Sequence, residues 1–164
     1  MNQERSRRLV TLTAALSVII VGVGGFATLS FSAQPDVATE FYLLTQGSDD
    51  EMRAEGYPSR LERMNGSLFV AVENHLETEQ RYTLVVQLQQ VNRSAENLTV
   101  RGRTNLETLR MSVGPKSERV EPVELEDPSN ARGSRVAFLL YRGEPPTDPT
   151  IPNSYQSTYL WLEG

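Results

Sequence analysis

The side chains able to do chemistry are few and far apart. There is one histidine, His75, and no cysteine. Thiol catalysis, Cys-ligated zinc, iron–sulfur clusters and disulfide frameworks are therefore excluded. A Ser-His-Asp triad would have to run through His75, which stands in "VENHLETE" (72–79), a polar stretch with the composition of a turn. A general base must be held within hydrogen-bond reach of the proton it takes, and a solvated turn is a poor place to hold one. His75 reads as a turn residue beside Asn74. Three carboxylates cluster in "GSDDE", Gly47 to Glu51. Oxygen ligands suit Ca²⁺, but adjacent side chains cannot all point at one ion, so the stretch reads as a solvated acidic loop. No carboxylate pair suited to glycoside hydrolysis can be singled out. The expectation is no catalytic, cofactor-binding or metal-ligating residue set, and no cofactor.

Three N-glycosylation sequons are the most suggestive feature: Asn65-Gly66-Ser67, Asn92-Arg93-Ser94 and Asn97-Leu98-Thr99. Asn65 precedes an apolar alternating run, while Asn92 and Asn97 flank a polar gap between two such runs. All three sit where exposed turns are expected. They carry glycans only if this part of the chain lies outside the cell, and otherwise they are ordinary Asn-containing turns.

The compartment is written in the first 31 residues. Leu9 to Phe31 holds 23 residues without a charge, a helix of about 34 Å, enough to cross ~30 Å of hydrocarbon with some tilt. Cleavable signal peptides have shorter apolar regions, and the best small-residue site, Gly25-Phe26-Ala27, is buried inside the run. Gly22 and Gly25 are three apart, so no GxxxG pairing motif is present. Arg5, Arg7 and Arg8 precede the run, whereas the remainder after it carries 20 of the 21 acidic side chains against 13 of the 16 basic ones. The positive-inside rule then predicts residues 1–8 as a cytoplasmic basic tail, 9–31 as a transmembrane helix, 32–38 as a tether and 39–164 as an extracellular domain. Ser6-Arg7-Arg8-Leu9-Val10 also resembles a twin-arginine export motif, an alternative route to the same topology. A net-acidic domain is a poor partner for nucleic acid, whose phosphates must be neutralised.

Beyond the tether the chain is a succession of β-type runs. Thr39–Thr45 is the first, and Ser67–Glu73 and Arg81–Val91, the second and third, alternate with period two. The third sets Tyr82, Leu84, Val86 and Leu88 against Thr83, Val85, Gln87 and Gln89, the pattern of a half-buried strand, and "NHLETEQ" between the last two reads as a hairpin loop. Leu98–Arg103, Met111–Val113, Val120–Leu125, Val136–Arg142 and Ser157–Leu162 complete the set, with 136–141 apolar on both faces as in a central strand. Thr104-Asn105-Leu106-Glu107 has capping-box spacing and predicts a single helical turn. Seven or eight short strands, with turn clusters between them and no long amphipathic helix, predict an immunoglobulin-like β-sandwich. Trp161, Tyr42, Tyr82, Tyr141 and Tyr159 read as core and rim aromatics. The loop Gly143–Ser154 holds Pro145, Pro146, Pro149 and Pro152 and reads either as a docking loop or as a stiff cover over one end of the sandwich.

Four strings, "ATEFYLLT", "YPSRL", "LFVAVENHLETEQRYTLVVQLQQV" and "LLYRGEPPTDPTIPNSYQSTYLWL", together resemble the DUF1616 family of archaeal membrane proteins. The resemblance spans nearly the whole ectodomain, including the Asn74-His75 turn and the ending at Tyr155, Tyr159, Leu160 and Trp161. Family members often carry several spans before this domain, and this chain has one. The resemblance implies an archaeal, haloarchaeal surface domain, in keeping with a basic set of 15 arginines and Lys116 alone. The expected function is a binding or structural module at the cell surface, without enzymatic activity. Its expected contacts are membrane lipid through Leu9 to Phe31 and a protein partner at the surface or in the membrane. An accessory subunit of a membrane complex for glycan assembly or transport is the alternative, and a carboxylate-dependent hydrolase comes last.

Overall fold

Phe41 and Leu43 alternate with Glu40 and Tyr42 along the first strand, β1 (Thr39–Gln46), so the apolar pair enters the core and the polar pair faces outward. The computed structural model describes residues 38–64, 66–93, 97–125 and 134–163. The expected basic tail, the run Leu9–Phe31 and all but the last residue of the tether lie outside that set. Among the described residues no helix is long and apolar enough to cross a membrane.

β1 pairs antiparallel with a two-residue strand, β2 (Met52–Arg53), and with β3 (Leu68–Asn74), and β3 pairs with β6 (Ser117–Pro122). A second antiparallel sheet is built from β4 (Gln80–Arg93), β5 (Leu98–Val113), β7 (Arg135–Arg142) and β8 (Gln156–Trp161). The orders are β2-β1-β3-β6 and β5-β4-β7-β8, an all-β arrangement of two four-stranded sheets compatible with a sandwich. One core cluster draws Phe41, Val70 and Val72 from the first sheet and Leu84, Val86, Phe138 and Leu140 from the second. A single helical turn, α1 (Leu61–Met64), adds Leu61 and Met64 to it. Gly66 follows that turn with φ +72°, a left-handed conformation in which glycine ends helices without steric cost.

The chain passes between sheets at β3–β4 and again at β5–β6, and both crossings are fastened by Asn74, which is fully buried. Its side-chain oxygen accepts the Leu76 N–H at 3.0 Å. Its Nδ2 donates to Thr78 O at 2.8 Å and Gly114 O at 2.9 Å, with Val113 O at 3.2 Å. Lys116, held at φ +49°, adds a backbone bond to Leu76 O at 3.1 Å. The same end carries a second knot. Buried Thr39 shares a 2.8 Å hydrogen bond with the Tyr82 hydroxyl, its carbonyl accepts from Gln156 Nε2 at 2.8 Å, and its hydroxyl accepts from Arg142 Nη2 at 3.3 Å. The start of β1 is thereby tied to β4, β7 and β8.

Several expectations need correction. "NHLETEQ" is not a hairpin loop, because β3 takes β1 and β6 as partners and the segment carries the chain to the other sheet. Arg81–Val91 is not half-buried: 82–89 are buried on both faces, since β4 lies inside the second sheet and its outer face is also covered. No helical turn forms at Thr104–Glu107. Leu98–Arg103 and Met111–Val113 are parts of one 16-residue strand whose register shifts at Leu106, which drops into the core. The Glu107 carboxylate accepts the Glu124 N–H at 3.1 Å instead of capping a helix. Strand β6 begins and ends three residues earlier than the expected Val120–Leu125, with Val123 and Leu125 buried beyond its end. Val136–Arg142 is central, as its two apolar faces predict.

If Asn74 joins the two crossings, Asn74→Ala leaves its carbonyl and amide partners unsatisfied in a dry site. Chemical denaturation should show a loss on the order of 3 kcal/mol, whereas Gln80→Ala, whose side chain bonds only Thr78 Oγ1, should change stability little.

Candidate functional site

The strand registers sort the candidate residues into two ends. At the end where β1 begins lie His75, the Gly114–Ser117 turn and the Arg142–Gly143 end of β7. At the other end lies the tip of the β4–β5 hairpin, where Asn92 pairs across to Thr99 and Arg93 to Leu98. Asn92 and Asn97 are both exposed there, so two sequons share one hairpin tip. Asn65 lies outside the described residues. Its sequon partners Gly66 and Ser67 lead into β3 where Leu68 pairs with Thr45, again away from the start of β1.

The acidic loop is a hairpin turn between β1 and β2. Gly47 N–H reaches Glu51 O at 2.8 Å and Asp50 sits at φ +63°. Arg53 pairs with Asp49 and, at 3.3 Å, with Glu51, while Gln46 Nε2 donates to Asp50 Oδ1 at 3.2 Å. Its carboxylates are engaged by the loop's own cation and amide.

His75 is better held than its sequence context implies. Its backbone N–H donates to Ala38 O at 3.0 Å, extending the β1–β3 ladder by one residue. Its Nε2 lies 3.1 Å from Glu40 Oε1 and its Nδ1 3.7 Å from Glu73 Oε1. No Ser or Thr hydroxyl stands among the hydrogen-bond partners of its ring within the described residues. Sequence reasoning missed the two glutamates because their meeting depends on the β1–β3 register, which sequence spacing does not encode.

It also missed a polar ladder on the outer face of the second sheet. Buried Arg135 donates from Nε to Gln89 Oε1 at 2.7 Å. Gln89 Nε2 donates to Gln87 Oε1 at 3.2 Å, and Gln87 Nε2 donates to Asn105 Oδ1 at 3.0 Å and Pro149 O at 3.1 Å. The Arg135 guanidinium lies 4.5 Å from the Tyr159 ring centroid and 5.6 Å from that of Trp161, whose rings meet edge to face. Burial lowers the Arg135 pKa below the usual guanidinium range, partly offset by Tyr159. The only cue in the sequence was a pair of glutamines inside an apolar strand.

The proline loop lies over this same face and not over an end of the sandwich. Ile151 packs on Val85, Leu139 and Tyr141, a second small core. The Tyr141 hydroxyl accepts the Thr150 N–H at 3.0 Å and donates to Asn153 Oδ1 at 2.9 Å. Asn153 Nδ2 donates to Asp148 O at 3.0 Å, and Arg103 pairs with Asp148 at 3.1 Å. The expected cover over an end of the sandwich is thus corrected to a cover over a sheet face, with the prolines limiting the entropy lost on packing there.

Three tyrosines resist ionisation. Burial raises the pKa of Tyr42, reinforced by its hydrogen bond to Glu118 and the nearby charges of Glu73 and Glu40. Burial also raises Tyr57, whose hydroxyl donates to Leu43 O at 2.9 Å, and Tyr141, where a backbone bond to Thr150 opposes it. Below the ordinary phenol pKa of about 10 both folded and unfolded chains keep these protons. Above it the unfolded chain ionises first and binds fewer protons, so stability falls with rising pH. Denaturation across the alkaline range should show stability flat at neutral pH and declining above about pH 10, with a shallower decline in Tyr42→Phe.

The profile of a family described as "Domain of unknown function (DUF1616)" matches residues 32–163. No curated protein and no solved structure matches the chain. The family match covers both sheets, the Asn74 staple, the polar ladder and the covering loop, and the chain belongs to the DUF1616 family.

Proposed function

We propose that the chain is a single-pass protein of the archaeal cell surface, with its N-terminus in the cytoplasm and residues 39–164 outside as an immunoglobulin-like binding or structural module without catalytic activity. The observation that carries this reading is the uncharged run Leu9–Phe31, preceded by three arginines and followed by an acidic domain. The strand succession supports the immunoglobulin-like label. The chain changes sheets from β3 to β4, from β5 to β6 and from β6 to β7, a Greek-key pattern. The non-catalytic reading is supported by the surroundings of the single histidine, which faces carboxylates.

The polarity of the domain suits an anchored module. Thr39, next to the tether, stands at one end, and Asn92 and Asn97 stand at the other. Glycans at the hairpin tip would project away from the membrane, hydrating the outermost surface. A protein partner at the cell surface or in the membrane is the proposed counterpart, and lipid contacts Leu9–Phe31. If a multi-span protein co-purifies in stoichiometric amount from mild detergent, the assignment moves to an accessory subunit.

Because the chain has no cysteine, single cysteines report topology cleanly. In intact cells a membrane-impermeant maleimide should label Ser48→Cys and should reach Ser6→Cys only after lysis. The reverse pattern sinks the proposed orientation. Glycosylation has its own readout. Asn97→Gln and Thr99→Ala should each remove the same glycan mass from the purified protein, and identical intact masses for wild type and variants, beyond the substitution itself, would discard Asn97 as an acceptor.

A further inference from the structure

Along β1, β3 and β6 the register sets Glu40 opposite Glu73 and Glu73 opposite Glu118. These three carboxylates form a row on the outer face of the first sheet. Like charges directly opposite on neighbouring strands destabilise a sheet, so a cation bound beside the row would relieve it. His75 projects beside it, two residues after Glu73 and therefore on the same face. One ligand atom each from Glu40, Glu73 and His75 lies within 4.8 Å of the others.

We infer that Glu40, Glu73 and His75 form a divalent transition-metal site of the zinc class. Donor atoms around a tetrahedral ion with bonds of about 2.1 Å stand roughly 3.4 Å apart. The His75 Nε2–Glu40 Oε1 separation, 3.1 Å, is near that spacing, while Glu73 Oε1 lies 3.7 Å from the other ring nitrogen, Nδ1, so the Glu73 carboxylate must swing toward Nε2 for the three to share one ion. An imidazole among the donors favours Zn²⁺ over Mg²⁺ or Ca²⁺, which take oxygen ligands. Two carboxylates neutralise the ion's charge, and three protein donors leave a position for water or for a donor from a partner.

The backbone around the site is fixed before any ion arrives. Glu40 and Glu73 are locked as a cross-strand pair. His75 is held by its bond to Ala38 on one side and by the buried amide of Asn74 on the other. Such a site joins the first strand of the domain to β3 at the point where the tether arrives, and it does not depend on which side of a membrane the domain faces.

The test uses the full, tag-free chain in detergent micelles with Zn²⁺ as the probe. Calorimetry should give one equivalent per chain, in the presence of excess Mg²⁺. His75→Gln and Glu73→Gln should each weaken binding by at least about tenfold, while Glu77→Gln, a loop carboxylate paired with Lys116, should leave it unchanged. Since His75 is the only histidine, its imidazole NMR signals give a second readout on the wild-type chain, and they should shift until one equivalent is bound. No stoichiometric Zn²⁺ binding, an unshifted His75 ring, or an affinity changed less than tenfold in either variant overturns the site and leaves His75 as a polar bridge between two glutamates.

Discussion

The buried amide of Asn74 is the constraint on which the rest of the domain depends. A two-sheet fold must carry its chain across the core, and each crossing exposes backbone groups that neither sheet can satisfy. Asn74 meets the needs of two crossings from one position, joining the turn after β3 to the turn after β5. With those loops fixed, Lys116 settles against Leu76, Ser117 comes opposite Asn74, and His75 is presented outward on a ladder that reaches Ala38. One polar side chain at the end of a strand thus positions both an inner joint and an outer cluster.

The second sheet solves a different problem. Its strand β4 is buried on both faces over residues 82–89, although three of the four outer side chains there, Thr83, Gln87 and Gln89, are polar. Burying glutamine amides is costly unless every group is paired. Here the pairing runs in series from Arg135 through Gln89 and Gln87 to Asn105 and the proline loop. The aromatic pair Tyr159 and Trp161 shields the cationic end. The loop is thereby a structural layer: its carbonyl at Pro149 completes the ladder, and Tyr141 anchors its far side.

Much of the architecture was legible in the sequence, because period-two alternation is a local property. Ser67–Glu73 could be placed to within a residue or so for that reason, and Thr39–Thr45 and Val136–Arg142 as apolar runs of strand length bounded by turn residues. Pairing is not local. The glutamates at 40, 73 and 118 read separately as solvent-facing charges, and only the register makes them a row. Asn74 looked like a turn former, although its partners lie 4, 39 and 40 residues away. The capping-box spacing at Thr104–Glu107 misled because a strand that shifts register can hold the same residue types, with Leu106 drawn inward by burial stronger than any local propensity. β2 and α1 are too short to display a period.

The tie of Thr39 to Tyr82, Arg142 and Gln156 has a mechanical meaning. The hydrogen bonds of β1 to β3 extend from Thr39↔Asn74 to Thr45↔Leu68, perpendicular to the strand. A force along the strand axis therefore loads the whole ladder in shear, instead of opening it one bond at a time. The knot at Thr39 carries the same load into the second sheet, so a force on the start of β1 is borne by both layers at once.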